Sequence, residues 1–493
     1  MGIIQRQGIK HSIVSFTGLA IATASTIFIY SQKEVVEAYG LVQFLLSIGI
    51  IGFPLFALSS NTLAIRFFPV FEDKASGHHG LLPMLLLLCL AGWGLCAGVA
   101  AIFWPELARM LAGNSALLQR YLWMAFPLTL LFTLALLLTQ YSFNFKRIVI
   151  PMILLDFSVK VLLPVLMVAI WQDWIGLDAA LWLLAAHYLA IVLGLVVYLN
   201  SLGEWFWRPD WSFMRPDLRR ELVQYAGFGI VTGFALLVAT RLDTLMVGSL
   251  TTIKSAGIYA IALNISAAME IPAKSLNSVS ISFVAKYLAE ENWAEMEKLY
   301  QKVSINLLAA GLLIFGVIWV SVDDLFQLMP NTVEISKGKY VLLILSAAKL
   351  IDLAAGLNNQ IVYYSKHYRF SLVSMSVLAL ANIGFNLWLI PWLGLTGAAV
   401  ATFISITCYN LSNLVFVWKN LHMQPFSKNT AVVIVLAVAS ATAVWFLPST
   451  SIPLVNIALR GACFTALFAV LVLRFRVSED VQELWLKVRS WRI

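Results

Sequence analysis

Apolar runs of about 20 residues recur from one end of this chain to the other, each long enough to cross a bilayer as a helix. They dominate the composition. Hydrophobic residues make up 61% of the 493 and charged residues only 12%. A soluble domain of that size has too little interior to hide so much apolar surface. Inside a bilayer no water satisfies a backbone N–H or C=O, so a spanning segment must be a helix or a strand of a closed barrel. Barrel strands would read as stretches of about ten residues with alternating polarity, and the sequence lacks that pattern. The expected fold class is an all-α polytopic membrane protein.

Fourteen apolar segments are expected to be transmembrane helices. They run approximately His11–Tyr30, Gly40–Ser59, Leu82–Phe103, Tyr121–Gln140, Val149–Ile170, Ala179–Leu199, Val223–Gly248, Gly257–Val284, Val303–Val322, Tyr340–Ala355, Phe370–Ile390, Leu395–Val417, Ala431–Leu447 and Ile452–Leu473. The N-terminal stretch begins basic and turns apolar, as a signal peptide does. Its apolar run is long and lacks a clear small-residue cleavage site, so it reads as a retained first helix. Cys89, Cys96, Cys408 and Cys463 all fall inside apolar runs. They read as buried small hydrophobic residues rather than disulfide partners or metal ligands.

The net charge of +8 raises nucleic acid as a partner, but the placement of the cations argues against it. With the N-terminus in the cytoplasm and the spans alternating, 22 of the 33 lysines and arginines fall on the inner side. Six fall outside: Lys33, Arg109, Arg120, Lys254, Lys337 and Lys339. The other five, Lys160, Arg241, Lys274, Lys349 and Arg460, lie within the apolar segments. This is a positive-inside bias. Both termini are expected in the cytoplasm, and no nucleic-acid partner is expected.

Three landmarks recur at one spacing. Gly40 opens the second segment and Gly257 the eighth, 217 residues later. Pro54 interrupts the second and Pro272 the eighth, at an offset of 218. The turn "IGLDAALW" around Gly176 precedes the sixth segment, and "LGLTGAAV" around Gly394 precedes the twelfth, again at 218. A fixed offset marks an internal repeat, and it relates helices of the same orientation, so the repeat is parallel. The expected organisation is an N-terminal six-helix lobe over 1–200 and an interfacial cytoplasmic linker over 201–222. A C-terminal six-helix lobe follows over 223–420, and an extra helix pair with a tail over 421–493. Two such pseudosymmetric lobes suit alternating-access transport, with a site near the midplane. Pro54 and Pro272 are the hinge candidates.

Nine aspartate, glutamate, lysine and arginine residues lie inside the expected spans. Each costs roughly 2.5–3.5 kcal/mol at the bilayer centre, so each calls for a partner or a wet cavity. Asp156 and Lys160 stand four apart, as do Glu270 and Lys274 across Pro272, and Lys349 and Asp352 stand three apart. All three spacings allow pairing along one helix face. Arg241 and Asp243 stand two apart, which sends them to different sides of a helix. Arg241 therefore either meets the substrate or pairs with another helix, and Asp243 is structural or a cation or proton site. Lys160, Arg241, Lys274 and Lys349 are the substrate-binding candidates, and Asp243, Glu270 and Asp352 the candidates for ion coupling. Arg460, alone in the last segment, is expected to snorkel to the outer headgroups, the alternative being that it faces a lipid-phosphate groove. The polar run "GLNNQIVYYSKHYR" from Gly356 reads either as lining of an inner mouth or as a cytoplasmic loop. His78 and His79 read as a solvated loop pair. The chain has no G-x-x-x-x-G-K-[ST] phosphate loop and no H-E-x-x-H, so neither a built-in nucleotide motor nor a zinc-protease site is expected. No catalytic residue, cofactor or metal is expected.

The stretch "RLDTLMVGSLTTIKSAGIYAIALNI" from Arg241, and "LIPWLGLTGAAVATFIS" from Leu389 to Ser405, resemble the polysaccharide transporters of the multidrug/oligosaccharidyl-lipid/polysaccharide exporter superfamily. So does the six-plus-six layout with an extra C-terminal pair. The resemblance implies a bacterial inner-membrane flippase for undecaprenyl-pyrophosphate-linked oligosaccharide, as in O-antigen or capsule assembly. It also implies proton or sodium coupling and, as partners, a polysaccharide polymerase or glycosyltransferases. Carried over from similar lipid II flippases, Ala431–Leu473 would hold the polyprenyl chain. Such flippases often carry basic residues in both lobes, whereas here the first lobe offers Lys160 and Arg66. The rival readings are a cation-coupled multidrug exporter of the same superfamily and a non-transporting scaffold for glycan assembly.

Overall fold

The computed structural model describes residues 3–113, 115–145, 147–366, 368–478 and 480–483. Among them every regular element is helical. Eleven helices are long and apolar enough to cross a membrane. A twelfth is added if Thr332–Ala355 and Asn358–Tyr364, bent by 54° at their junction, count as one span. The protein is a multi-pass membrane protein. Its chain divides into two compact units, Met1–Ala260 and Ile261–Ile493.

The first unit contains α1 (Ile3–Phe28), α2 (Val36–Phe56), α3 (Ser60–Arg66), α4 (Leu81–Ile102), α5 (Ala125–Phe143), α6 (Ser158–Trp171), α7 (Leu177–Ser201) and α8 (Pro216–Leu250). The chain leaves it through α9 (Ile253–Ser266). The second unit contains α10 (Ile271–Ala289), α11 (Trp293–Leu328), α12 (Lys339–Ala355), α13 (Asn358–Tyr364), α14 (Tyr368–Leu393), α15 (Leu395–Leu421), α16 (Lys428–Trp445) and α17 (Pro453–Arg474). The long α11 seats the last two helices. Val433, Leu436 and Val444 of α16 and Phe464, Phe468 and Val472 of α17 close a buried core with Ile305, Leu308 and Leu312.

Pro54 lies at the end of α2, whereas Pro272 follows a local 3-10 tightening in a stretch that stays helical. Proline cannot donate to the helical ladder and crowds the preceding turn. Two residues after Pro54, α2 ends; Leu58 and Ser59 turn with positive φ before α3 begins. The eighth expected span is α9, a 3-10 turn over Ala267–Glu270, and α10, with Pro272 in its first turn. The two glycines of the repeat meet each other. A Cβ on Gly40 would lie 2.2 Å from the Ile253 carbonyl oxygen, and one on Gly257 would lie 2.2 Å from that of Val36. Those partners are themselves 217 residues apart, so the contact is reciprocal under the repeat.

The histidine pair is not solvated. Gly77, His78, His79 and Gly80 all adopt positive φ, between 47° and 67°, which costs a non-glycine residue roughly 1–2 kcal/mol. The linker after α7 holds this strained turn in place. His78 is buried, and its Nε2 lies 2.8 Å from Glu204 Oε2, while Lys74 Nζ lies 2.8 Å from Glu204 Oε1. The His79 ring stacks on Phe213 at 3.8 Å, between Asp73 and Asp210. Gly80 is needed for contact, since a Cβ there would sit 2.5 Å from the Arg208 oxygen and the Asp210 nitrogen. Sequence reading saw two polar residues in a loop and had no means to place the linker beside them. The linker is also shorter than expected, because its last residues, from Pro216, already belong to α8.

Burial pushes the Glu204 carboxyl up, but hydrogen bonds from Lys74 and His78 outweigh it and hold the group below its ordinary value of 4.5. Its contribution to the clasp is therefore complete above the ordinary value and lost as pH falls through the lowered one. Limited proteolysis at neutral pH should cut Glu204→Ala in the linker faster than the wild type. Acidification below the carboxylate range should remove that difference.

Candidate functional site

The charges buried in the spans fall into distinct clusters. In the first unit, Asp243 is buried on α8 and accepts a hydrogen bond from the Tyr259 hydroxyl on α9 at 2.9 Å. Arg241 is half-buried two residues earlier and makes no ion pair or hydrogen bond with any described residue. The spacing of two thus gives the residues separate environments, with the carboxylate anchored between helices and the guanidinium left over.

Lys160 and Asp156 come together at 2.7 Å. Asp156 lies in a π-helical turn, Ile153–Phe157, that leads into α6. The Lys160 stem lies over Gly18 of α1, where an added Cβ would come within 3.2 Å of Cδ. A cavity of about 290 Å³ opens beside the break at Pro54. Phe53, Phe132 and Leu136 line it, with Asn61, Thr62 and Gln140 supplying polar groups. These uncharged groups are not legible in the sequence, because single amides and hydroxyls carry no periodic signal.

In the second unit, the expected pairs rearrange. Glu270 and Lys274 meet at 3.3 Å, as their spacing allows. Lys349 does not pair with Asp352. Its Nζ crosses to Glu270 Oε1 at 2.5 Å, making Glu270 a bridge between two lysines. Asp352 accepts a hydrogen bond from Asn410 of α15 at 3.1 Å instead. Asn410 in turn accepts one from Asn358 at 3.1 Å, and Asn413 donates to Asn359 at 2.6 Å. The polar run after Gly356 is therefore no loose loop: Asn358 and Asn359 fasten α13 to α15.

Arg460 does not snorkel. Its guanidinium pairs with Asp324 near the end of α11 at 3.0 Å, and Asn456 donates to the other Asp324 oxygen at 2.7 Å. Asp324 was missed because it lies just beyond the span expected to end at Val322. Phe464, one helical turn beyond Arg460, borders an apolar groove of about 470 Å³. Leu312, Phe315, Gly316 and Trp319 of α11, Ala437 and Trp445 of α16, and the following Phe446 also line it. No group of three or more histidine, cysteine or acidic residues suited to a metal occurs among the described residues.

No family model matches the chain, and no curated protein sequence does. Solved structures do match. The lipid II flippase MurJ, in an inward closed conformation, superposes with a TM-score of 0.73 over 95% of this chain and 100% of its own, at 14% identity. A point mutant of the Vibrio cholerae MATE transporter VcmN gives 0.53 over 85% of this chain and 98% of its own, at 12% identity. The chain shares the fold of these two transporters. Those identities speak for the fold alone.

Proposed function

We propose that this protein is a lipid-linked oligosaccharide flippase working by alternating access, with an undecaprenyl-pyrophosphate-linked glycan for surface polysaccharide as its passenger. The observation that carries this reading is the apolar groove between α11 and the last helix pair, in the same unit as the lysines that meet at Glu270. A polyprenyl pyrophosphate needs both. Its tail needs an apolar surface, and its multiply charged head needs cations in a poorly hydrated setting. The MurJ-like fold supports the flippase class. The proposed lobes are 1–200 and 223–420, with Pro54 and Pro272 as hinges.

In this reading Arg241, Lys274, Lys349 and Lys160 neutralise the head group, and Asp243, Glu270 and Asp352 serve proton or sodium coupling. Arg241 is the first residue to test, since a half-buried guanidinium suits two phosphate oxygens through its planar fork. Arg241→Ala should slow translocation of a labelled lipid-linked oligosaccharide in proteoliposomes by roughly 30-fold, which corresponds to a charge-assisted contact of about 2 kcal/mol. The protein should still insert. Normal translocation by that variant removes Arg241 from the site. Efflux of cationic drugs without movement of the lipid would identify the multidrug exporter, and a purified protein that moves neither substrate would leave the scaffold.

A further inference from the structure

Glu270 is held as a phosphate group would be. Its Oε1 lies 2.5 Å from Lys349 Nζ and its Oε2 lies 3.3 Å from Lys274 Nζ. Two ammonium groups from separate helices therefore each take one oxygen of a single anion. Glu270 closes the 3-10 turn over Ala267–Glu270, with Pro272 two residues on.

The two lysines differ in access. The Lys349 side chain is 22% exposed and that of Lys274 is 76% exposed. One cation is fixed against the protein, and the other can be reached from outside. Lys349 also has an acidic neighbour on its own helix, Asp352, three residues on, yet that carboxylate is hydrogen-bonded by Asn410. Glu270 is the ion-pair partner of Lys349, and its carboxylate is the group an incoming anion would have to displace.

We propose that Glu270 is a built-in surrogate for the passenger's phosphate. It occupies a dicationic site that a phosphate or pyrophosphate ester takes by displacing it, and it returns when the ester leaves. Two lysines without a counter-ion in a membrane-embedded setting are costly, so the surrogate keeps the resting protein neutralised. It also limits affinity by competing for the same donors, which lets the passenger go. This inference rests on the flippase reading and specifies how its head-group site is kept when empty.

Glu270→Gln tests it, because glutamine keeps the shape and drops the charge. Full-length protein in detergent would be titrated with inorganic pyrophosphate, with farnesyl pyrophosphate and with farnesol. Glu270→Gln should bind the prenyl pyrophosphate at least about tenfold more tightly than the wild type. The gain should vanish in Glu270→Gln/Lys349→Met, and farnesol should show none. An equal gain for inorganic pyrophosphate supports surrogacy through the head group alone, and a gain confined to the prenyl compound supports a site that also needs the tail. A gain for inorganic pyrophosphate with none for the prenyl compound overturns the assignment to a lipid passenger. Unchanged or weaker binding of both overturns surrogacy and leaves Glu270 as a structural ion-pair partner. If Glu270→Gln fails to fold, Glu270→Asp keeps the charge but shortens the span between the lysines, and it should show a smaller gain of the same sign; no gain overturns the proposal. Translocation by the wild type is measured separately. Wild-type translocation without any gain in the variants sinks surrogacy alone, and no translocation sinks the flippase reading itself.

Discussion

Asp324→Ala is expected to destabilise the protein by about 3–5 kcal/mol, the usual effect of removing one partner from a buried ion pair. Asp324 is 4% exposed. Its two oxygens accept from Asn456 at 2.7 Å and from Arg460 at 3.0 Å. Asn456 in turn accepts from the backbone and the hydroxyl of Thr450, at 2.8 and 2.7 Å. Removing the carboxylate strands the Arg460 guanidinium between α11 and α17 and leaves the Asn456 amide with the Thr450 carbonyl as its acceptor, at 3.0 Å. Removing both charges should cost far less, because no lone charge is left behind. Thermal unfolding in detergent of the wild type, Asp324→Ala, Arg460→Met and the double variant would give the coupling directly. Additive single effects would mean that the pair contributes nothing as a pair. The groove borders the same two helices, so a large loss of stability here should also loosen the surface proposed for the lipid tail.

Gly40→Ala should cost about 3 kcal/mol, at the upper end of the range for overpacking. The added Cβ would lie 2.2 Å from the Ile253 oxygen and 2.8 Å from the Gly257 nitrogen. Both are backbone atoms, so no side chain can swing aside, and α2 and α9 must separate. Gly257→Ala meets the Val36 oxygen at 2.2 Å and should cost a similar amount. The double variant should cost less than the sum, since one separation of the helices relieves both clashes. Gly94→Ala and Gly98→Ala on α4 are the controls. An added Cβ meets nothing within 4 Å at either position, and alanine is the better helix former. Their thermal unfolding should match or exceed that of the wild type. If Gly40→Ala behaves like these controls, the close approach of α2 and α9 is not a requirement of the fold.

These two cases show how far the sequence could be read. Gly40 and Gly257 were recognisable as a repeated pair from their offset alone, and the fold places them against each other. Their meeting was not legible, because a repeat specifies equivalence and not contact. Arg460 was visible as a charge in an apolar run, but its partner Asp324 stands 136 residues earlier and beyond the expected end of its span. The spacing of Lys349 and Asp352 made a local pair available, and Glu270 displaced Asp352 as the partner. Asn410 on α15 supplies Asp352 with a donor, and Lys349 crosses to the neighbouring element. At His78 and His79 local polarity was misleading, since aromatic rings and Glu204 brought by a distant linker bury what looked like a solvated loop.

What the sequence by itself determined is the all-helical, multi-pass character of the chain, the end of α2 near Pro54, and the charges that lie within the apolar runs. Each of these depends on about twenty consecutive residues or fewer, where hydropathy, proline chemistry and the need to satisfy the backbone in lipid act locally. Only the tertiary structure decided which charge meets which, where the groove lies and which oxygen of Glu270 each lysine takes. Those outcomes rest on distances of a few ångströms between helices tens to hundreds of residues apart. A buried charge accepts whichever partner is within reach after packing, and no local pattern encodes that reach.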